Sequence, residues 1–277
     1  MAARRVGAGG RRRRPGRAGT ASPEQKGRPM GRVVAETDKR PLRALLLDLD
    51  GTLLADDWYA DALVQTCREV AAAHPGLDEA RLLDANRNAW DGYWPRIEER
   101  WMLGELDGAS VRLEVWRRTL RACGLEDETL ALRAAETHHK HSRAGYRLYD
   151  DVAALLAAAR EADIPLAIIT NGASDDQRDK LRTLGIEGWF GAVVISGEAG
   201  VGKPDPAVFE LALEGLGAEA GAACHVGDLL GADVAGANAA GVRSVWLNRN
   251  GARREHGDPE PDLEVRSLSE LIPLLTR

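Results

Sequence analysis

Two aspartates, Asp48 and Asp50, directly follow a run of three leucines at 45–47. In an extended chain residues i and i+2 point to the same side, about 6.5–7 Å apart. Both carboxylates are therefore expected to face one site, while Leu49 points back into the core. Gly51 lets the chain leave the strand at once, because it adopts dihedrals that a Cβ would forbid. Paired carboxylates here predict a site for a cation, a proton or a substrate, although a polar strand end before a glycine turn would look the same locally.

Further polar residues follow three other predicted strands. Thr170 and Asn171 come at the end of an isoleucine-rich strand, and Lys203 lies in the loop after the next one. Asp228 follows a fourth strand, and Asp233 lies five residues later. Four carboxylates beside a single lysine cannot all stay ionised without a counter-charge. Mg²⁺ would supply it, since it takes one or two carboxylates and keeps waters and a phosphate oxygen. Lysine and threonine are also the donors expected around a phosphoryl group.

The order of predicted elements is that of an α/β fold. Strands are predicted at 45–47, 165–170, 192–196, 223–227 and 243–247. Helices of about ten residues alternate with them, which predicts right-handed crossovers and a doubly wound parallel sheet. In such a sheet the site lies beyond the carboxyl ends of the strands. The helical segment 57–145 interrupts this pattern and is predicted to be an inserted domain, with 41–56 and 146–277 forming the core.

Helix starts are predicted from their capping residues. Asp78 and Ser110 are expected to begin helices in the insert. Ser174 and Ser267 each open a sequence with the form of a capping box. These assignments predict where the helices of the core and the insert begin.

The predicted insert is rich in tryptophan. Five of the seven tryptophans fall in it: Trp58, Trp90, Trp94, Trp101 and Trp116. They form the packed core of a helical bundle, or one or two of them line a lid over the site, since pocket walls are largely apolar and aromatic. The sequence leaves both interpretations open.

Composition narrows the class of protein. The 277 residues carry a net charge of −6, yet residues 1–40 are basic. This segment has no hydrophobic periodicity and is predicted to be a disordered tail. Met30, near the end of the tail, is a candidate start of the protein. The acidic remainder disfavours nucleic-acid binding by the folded part. No apolar run approaches the roughly 20 residues that span a bilayer, so no membrane partner is expected. Three cysteines without a CxxC pair favour a reducing compartment, and we expect a cytoplasmic protein.

Four motifs, in order, resemble those of the haloacid dehalogenase superfamily. They are Asp48-Leu-Asp-Gly-Thr52, Thr170 after an Ile-Ile strand, Gly202-Lys203-Pro-Asp-Pro206 and Gly227-Asp228-x4-Asp233. The resemblance covers about residues 43–275, and the helical insert is similar to that family's type 1 cap. Segments 169–172, 201–206, 237–242 and 246–248 look most like the 5′-nucleotidase and N-acylneuraminate-9-phosphatase group.

The resemblance implies a role for each acid. Asp48 would be the nucleophile that forms an aspartyl-phosphate. Asp50 would protonate the leaving alcohol and then take a proton from the attacking water. Thr170, Asn171 and Lys203 would bind the phosphoryl group. The implied activity is hydrolysis of a small phosphorylated metabolite, either a nucleoside monophosphate or a sugar phosphate.

The resemblance also implies a Mg²⁺ cofactor. Its ligands would be the Asp48 side chain, the Asp50 main-chain carbonyl and Asp228, with Asp233 nearby or in the surrounding shell. Dehalogenases and P-type ATPases of this superfamily lack an acid at the position of Asp50, so its presence favours a phosphatase, with a phosphomutase as the alternative.

Three other interpretations carry less weight. The fold could serve a catalytically idle protein that binds a partner, although intact acids disfavour this. Histidines 138, 139 and 141 could suggest a metal site, but a solvated helix face is expected instead. Cys224 and His225 are neighbours on a strand and point to opposite faces, so Cys224 is expected to be packed rather than nucleophilic.

Overall fold

A computed structural model describes residues 42–275. Its six strands form one parallel sheet in the order β3-β2-β1-β4-β5-β6. The strands are β1 Ala44–Leu47, β2 Leu166–Thr170, β3 Ala192–Ile195, β4 Ala223–Gly227, β5 Arg243–Leu247 and β6 Leu263–Val265. The predicted doubly wound α/β fold is confirmed. Strand β6 was not predicted, because three residues with a charged centre give no strand periodicity. The predicted basic tail, 1–40, lies outside the described residues.

The central strand β1 is buried on both faces, as three consecutive leucines predicted. Leu45 and Leu47 pack on one face, and Ala44 and Leu46 pack on the other. The first face is covered by α6 Val152–Glu161, α7 Ser174–Leu184 and α11 Ile272–Leu275, and the second by α9 Ala207–Leu216 and α10 Ala235–Ala239. This burial fixes the depth at which the strand delivers its terminal aspartates.

Five of the six α-helices between β1 and β2 form the helical insert, and the sixth, α6, packs on the core. The five are α1 Trp58–Ala73, α2 Glu79–Tyr93, α3 Glu98–Met102, α4 Gly108–Ala122 and α5 Glu128–Gly145. A separate apolar cluster around the fully buried Trp116 holds α1, α2, α4 and α5 together. The bounds 57 and 145 remain a prediction.

The two ends of the insert leave the core side by side. Leu54 and Leu148 form an antiparallel bridge. The Ala55 amide donates to the Arg147 carbonyl at 3.0 Å, and the Tyr149 amide donates to the Leu53 carbonyl at 3.0 Å. The insert is therefore joined to the core by two short paired segments directly after the aspartate motif.

Two predicted capping residues are confirmed and two are wrong. Asp78 accepts from the Arg81 amide at the start of α2, and Ser267 forms a complete capping box. Ser110 does not begin α4, because Asp107 caps that helix and accepts from the Ser110 amide. Ser174 is no cap either: it is the first residue of α7, and its hydroxyl donates to Glu198. No helix within 42–275 is long and apolar enough to cross a bilayer.

Candidate active site

Three carboxylates converge at the carboxyl ends of the adjacent strands β1 and β4. Asp48 follows β1, Asp228 follows β4, and Asp233 lies in the π-helical turn Leu230–Val234. Their ligand oxygens lie within 4.8 Å of one another. Gly51 allows this approach: its φ is +78°, and a Cβ there would come within 2.8 Å of Asp228 Oδ2.

Lys203, Asp48, Asp233 and His225 form what we call the Lys203 network. The Lys203 ammonium donates to Asp48 Oδ1 at 2.7 Å and to Asp233 Oδ1 at 2.7 Å. His225 Nε2 lies 2.9 Å from the same Asp233 oxygen. Thr52 donates its hydroxyl to Asp48 Oδ2 at 3.2 Å. Both oxygens of Asp48 are therefore oriented by neighbouring donors.

Burial and charge act differently on these carboxyls. Burial raises the pKa of Asp48 more than Lys203 lowers it, and Asp233 raises it further. Burial would also raise the pKa of Asp233, but the charge of Lys203 and the bond from His225 outweigh it and hold that pKa low. Burial raises the pKa of Asp228 most strongly, and the charges of Asp48 and Asp233 add to it.

Asp228 is the acid whose charge is left uncompensated. Its Oδ1 is buried and has no hydrogen-bond partner within the described residues. Lys203 offsets part of the charge of Asp48 and Asp233, and its contacts within the described residues go to those two carboxylates rather than to Asp228. Burying a charge without a partner is costly, and an all-oxygen site suits a hard divalent cation. These residues therefore fit Mg²⁺, and no other such group of possible ligands occurs within 42–275.

Asp50 belongs to a second cluster, which we call the Lys180 network. It consists of Asp50, Lys180, Gln177 and Thr170. The Lys180 ammonium donates to both oxygens of Asp50 at 2.8 Å. Gln177 donates to Asp50 Oδ2 at 2.9 Å and also to the Thr170 hydroxyl. Burial would raise the pKa of Asp50, but Lys180 and Gln177 outweigh it and hold that pKa well below its usual range. Asp50 is thus ionised here.

The expectation of a single lysine beside the carboxylates is wrong. Lys180 and Gln177 are three residues apart on α7, so they lie on one face of that helix. Both side chains are almost fully buried. The i, i+3 spacing of a glutamine and a lysine after the strand-end Thr170 is the sequence signal for this network. His225 has no comparable signal, because its contact with Asp233 depends on how the turn after β4 folds back.

Asn171 positions Lys203. Its side-chain oxygen accepts from the Lys203 amide at 2.8 Å, and its Nδ2 donates to the Lys203 carbonyl at 2.8 Å. The same Nδ2 lies 3.3 Å from the sulfur of Met102. Since both polar ends of the side chain are engaged, a direct phosphate contact by Asn171 remains a prediction.

The helical insert contacts this loop through α3. The ring of Trp101 packs against Gly172, and the Met102 carbonyl accepts from the Ser196 hydroxyl at 2.6 Å. Ser196 in turn accepts from the Gly172 amide at 2.9 Å. Trp101 therefore lies beside the Gly172 turn in a buried apolar cluster with Trp94, whereas Trp116 is bundle core. The packed-core interpretation is confirmed for these residues, and a lid role stays a prediction.

The remaining candidates carry no chemistry of their own. Cys224 is packed in the apolar cluster on the opposite face from His225, as expected. His138 is buried against Trp116 and Tyr59. His141 is paired with Glu69 at 2.8 Å. The expected solvated helix face is therefore wrong for His138, which is buried in the bundle, and within the described residues these histidines form no metal cluster.

Residues 42–241 match the family model for haloacid dehalogenase-like hydrolases. Phosphoserine phosphatase of Thermus thermophilus is 36% identical over 247 residues, which cover 83% of this chain and 98% of that protein. Human N-acylneuraminate-9-phosphatase (Homo sapiens) is 36% identical over 129 residues, covering 46% and 52% respectively. A 2-haloacid dehalogenase from Pseudomonas syringae pv. Tomato DC3000 superposes with a TM-score of 0.61 at 28% identity, covering 85% and 99%.

Proposed function

The chain belongs to the haloacid dehalogenase-like hydrolase family, and on this premise we propose that it is a Mg²⁺-dependent phosphomonoester hydrolase. Its substrate would be a small phosphorylated metabolite, hydrolysed through an aspartyl-phosphate. One observation carries the proposal: the two aspartates after β1 have separate environments. Asp48 lies in the acidic cluster with Lys203, whereas Asp50 is bound by Lys180 and Gln177. A nucleophile and a proton carrier need this separation.

In the first step an oxygen of Asp48 attacks phosphorus, and the bond from phosphorus to the leaving alcohol oxygen breaks. Thr52 and Lys203 fix the Asp48 carboxylate for that attack. An ammonium has three N–H donors, and the contacts among the described residues use two of those on Lys203. The third would bind a phosphoryl oxygen beside Thr170, which suits charge stabilisation in the transition state.

Asp50 moves the proton in both steps. A bound phosphate dianion raises the pKa of a nearby carboxyl, which favours the protonated form that the leaving alcohol oxygen needs. Once the alcohol has departed with that proton, Asp50 is ionised, as it is in the structure. It then accepts a proton from the water that attacks the phosphorus of the aspartyl-phosphate.

The Mg²⁺ would be held by the Asp48 and Asp228 side chains and the Asp50 carbonyl, with Asp233 outside this set. When bound it supplies positive charge that offsets the charge of the phosphoryl group. The protein orients these ligands before a cation binds. Lys203 and His225 fix Asp233, and Asp228 keeps one oxygen that no donor within residues 42–275 contacts.

The relatives support an organic phosphate as substrate. Two of them are phosphatases by name, for phosphoserine and for N-acylneuraminate 9-phosphate. The dehalogenase neighbour raises halide release as a rival activity. The acid at Asp50 disfavours that rival, since a departing halide needs no proton.

The test uses the full chain, purified without added metal. Phosphate release is measured from p-nitrophenyl phosphate and from a panel of phosphoserine, nucleoside monophosphates and sugar phosphates, each with Mg²⁺ and with EDTA. We expect release only with Mg²⁺. Chloride release from 2-chloropropionate is measured in parallel. Chloride release without phosphate release, or inertness on every ester, would refute the proposal.

A further inference from the structure

We propose that Gln177 and Lys180 are positioning residues that orient the Asp50 carboxylate and the Thr170 hydroxyl toward the substrate. This inference rests on the proposed phosphatase function. Neither residue belongs to the four motifs that identify the chain, and neither would itself touch the substrate. Their role follows from how the hydrogen bonds of the Lys180 network are shared out.

Lys180 has no donor left for a ligand. Its ammonium contacts Asp50 Oδ1 and Oδ2 at 2.8 Å each and Gln177 Oε1 at 2.7 Å. These three acceptors use its three N–H groups. Its side chain is only 4% exposed, so water does not replace any of them. Lys180 therefore acts on the reaction only through Asp50 and Gln177.

The bond from Lys180 also fixes which way the Gln177 amide faces. Because the ammonium is a donor only, the amide atom beside it must be the oxygen. The NH₂ group then faces Asp50 Oδ2 and the Thr170 hydroxyl, as observed. Thr170 accepts that bond through its oxygen, so its own hydroxyl proton is available to a phosphoryl oxygen. The donor role of Thr170 is thus set by Lys180 through Gln177.

Other side chains of α7 anchor the helix independently. Asp175 accepts from the Gly108 amide at 2.9 Å, and Asp176 pairs with Arg112 at 2.5 Å. Arg178 pairs with Glu198 at 2.7 Å. These contacts hold the helix between the insert and the core, so Gln177 and Lys180 point from a fixed element. Functional groups are positioned best when the residues that support them are themselves locked.

A purely structural role would be served as well by other side chains. Replacing a buried ion pair with apolar residues of similar size is often neutral or stabilising. The hydrogen bonds of the network are instead directed to Asp50, which would move a proton, and to Thr170, which would bind phosphate. The geometry therefore favours a role in the reaction over a role in packing.

The experiment measures kcat/KM for aryl and alkyl phosphates whose leaving alcohols span a wide range of acidity. General acid catalysis matters most for poor leaving groups and contributes about 10²–10⁴-fold. We expect Lys180→Met to lose about 10²-fold or more on an alkyl phosphate and less than about tenfold on p-nitrophenyl phosphate. The plot of log kcat/KM against leaving-group pKa should become steeper, as in Asp50→Asn. Lys180→Arg should recover part of the loss, because it keeps the charge.

Arg182→Gln is the matched control, since Arg182 lies on the same helix, is exposed, and donates to the Arg178 carbonyl rather than to Asp50. Its slope should equal that of the wild type. If circular dichroism shows that Lys180→Met is unfolded, Gln177→Met serves instead, because it leaves the Lys180–Asp50 pair intact but removes the bonds from Gln177 to Asp50 Oδ2 and to Thr170. It should steepen the slope and raise KM.

A uniform loss across all leaving groups, or an unchanged slope in both folded variants, overturns the positioning role while the phosphatase assignment stands. An inert wild-type protein overturns the phosphatase proposal itself, and this inference with it. The two failures are therefore told apart by the wild-type measurement alone.

Discussion

The two lysine networks serve aspartates only two residues apart, yet they create opposite environments. In the Lys203 network one ammonium is shared between Asp48 and Asp233, and the buried carboxylates repel one another. In the Lys180 network the ammonium donates twice to Asp50, the only carboxylate it contacts there, and once to Gln177. The pKa of Asp48 is raised and that of Asp50 is lowered. Pairs of acids whose pKa values are pushed apart are the usual way to divide chemical roles within one site.

The two networks differ in the net charge that they present to a ligand. The Lys203 network, together with Asp228, holds more negative than positive charge, so it can accept a cation. The Lys180 network is internally matched, so it can accept none. A phosphate ester would then meet a cation site on one side and a fixed proton carrier on the other.

The largest expected effect separates the two aspartates. Asp48→Asn should reduce turnover by at least about 10⁴-fold, because the attacking oxygen is replaced by an amide. Asp50→Asn should still be phosphorylated by p-nitrophenyl phosphate but should lose the phosphoryl group slowly, because no base takes the proton from water. Acid quenching followed by mass spectrometry measures the phosphoenzyme. Labelling of Asp48→Asn would contradict the division of roles.

Removing each lysine should affect stability unequally. Lys203→Met leaves Asp48 and Asp233 buried together without a cation, which should cost about 3–5 kcal/mol. Lys180→Met should cost less, because the Asp50 side chain is 19% exposed and keeps Gln177. Urea unfolding in EDTA gives both free energies of unfolding. Equal losses would show that the two networks are not electrostatically distinct.

Asp228→Asn should stabilise the metal-free protein. Burial and two neighbouring carboxylates raise the native pKa of Asp228 above its unfolded value. Between these two pKa values the native state retains a proton that the unfolded state has released, so stability falls as pH rises from the unfolded toward the native pKa. Removing the titratable group should gain about 1–2 kcal/mol, since one pKa unit corresponds to about 1.4 kcal/mol.

Thermal unfolding at neutral pH in EDTA measures that gain as a higher Tm for Asp228→Asn than for the wild type. Added Mg²⁺ should raise the Tm of the wild type by mass action but not that of the variant. A variant that is less stable than the wild type in EDTA would argue against an uncompensated charge at this position.

The smallest effect is expected outside both networks. Arg112→Gln removes the ion pair from α4 to Asp176 on α7, which is 17% and 15% exposed. Partly exposed pairs contribute about 1 kcal/mol or less, so kcat/KM should fall less than about fivefold. Steady-state kinetics on an alkyl phosphate, where Lys180→Met loses most, checks this. A loss as large as that of Lys180→Met would mean that the insert, rather than the core, sets the position of Asp50.

Most of the fold and part of the candidate site could be predicted from short patterns of neighbouring residues. A strand buried on both faces needs consecutive apolar residues, so the leucines at 45–47 predicted both β1 and the burial of Asp48 at its end. Capping chemistry is equally local where the side chain reaches its own helix, as at Ser267. It failed at Ser174, because a carboxylate on another element, Glu198, takes that hydroxyl.

The sequence by itself determined that Asp48, Asp228 and Asp233 would meet, because parallel strands bring their carboxyl ends to one edge. Which lysine pairs with which aspartate depends on the tertiary structure. The face that α7 turns toward β1 depends on packing against both the insert and the core, so Lys180 could not be assigned to Asp50 from spacing. The same holds for Asn171, whose amide closes on Lys203, 32 residues further along the chain.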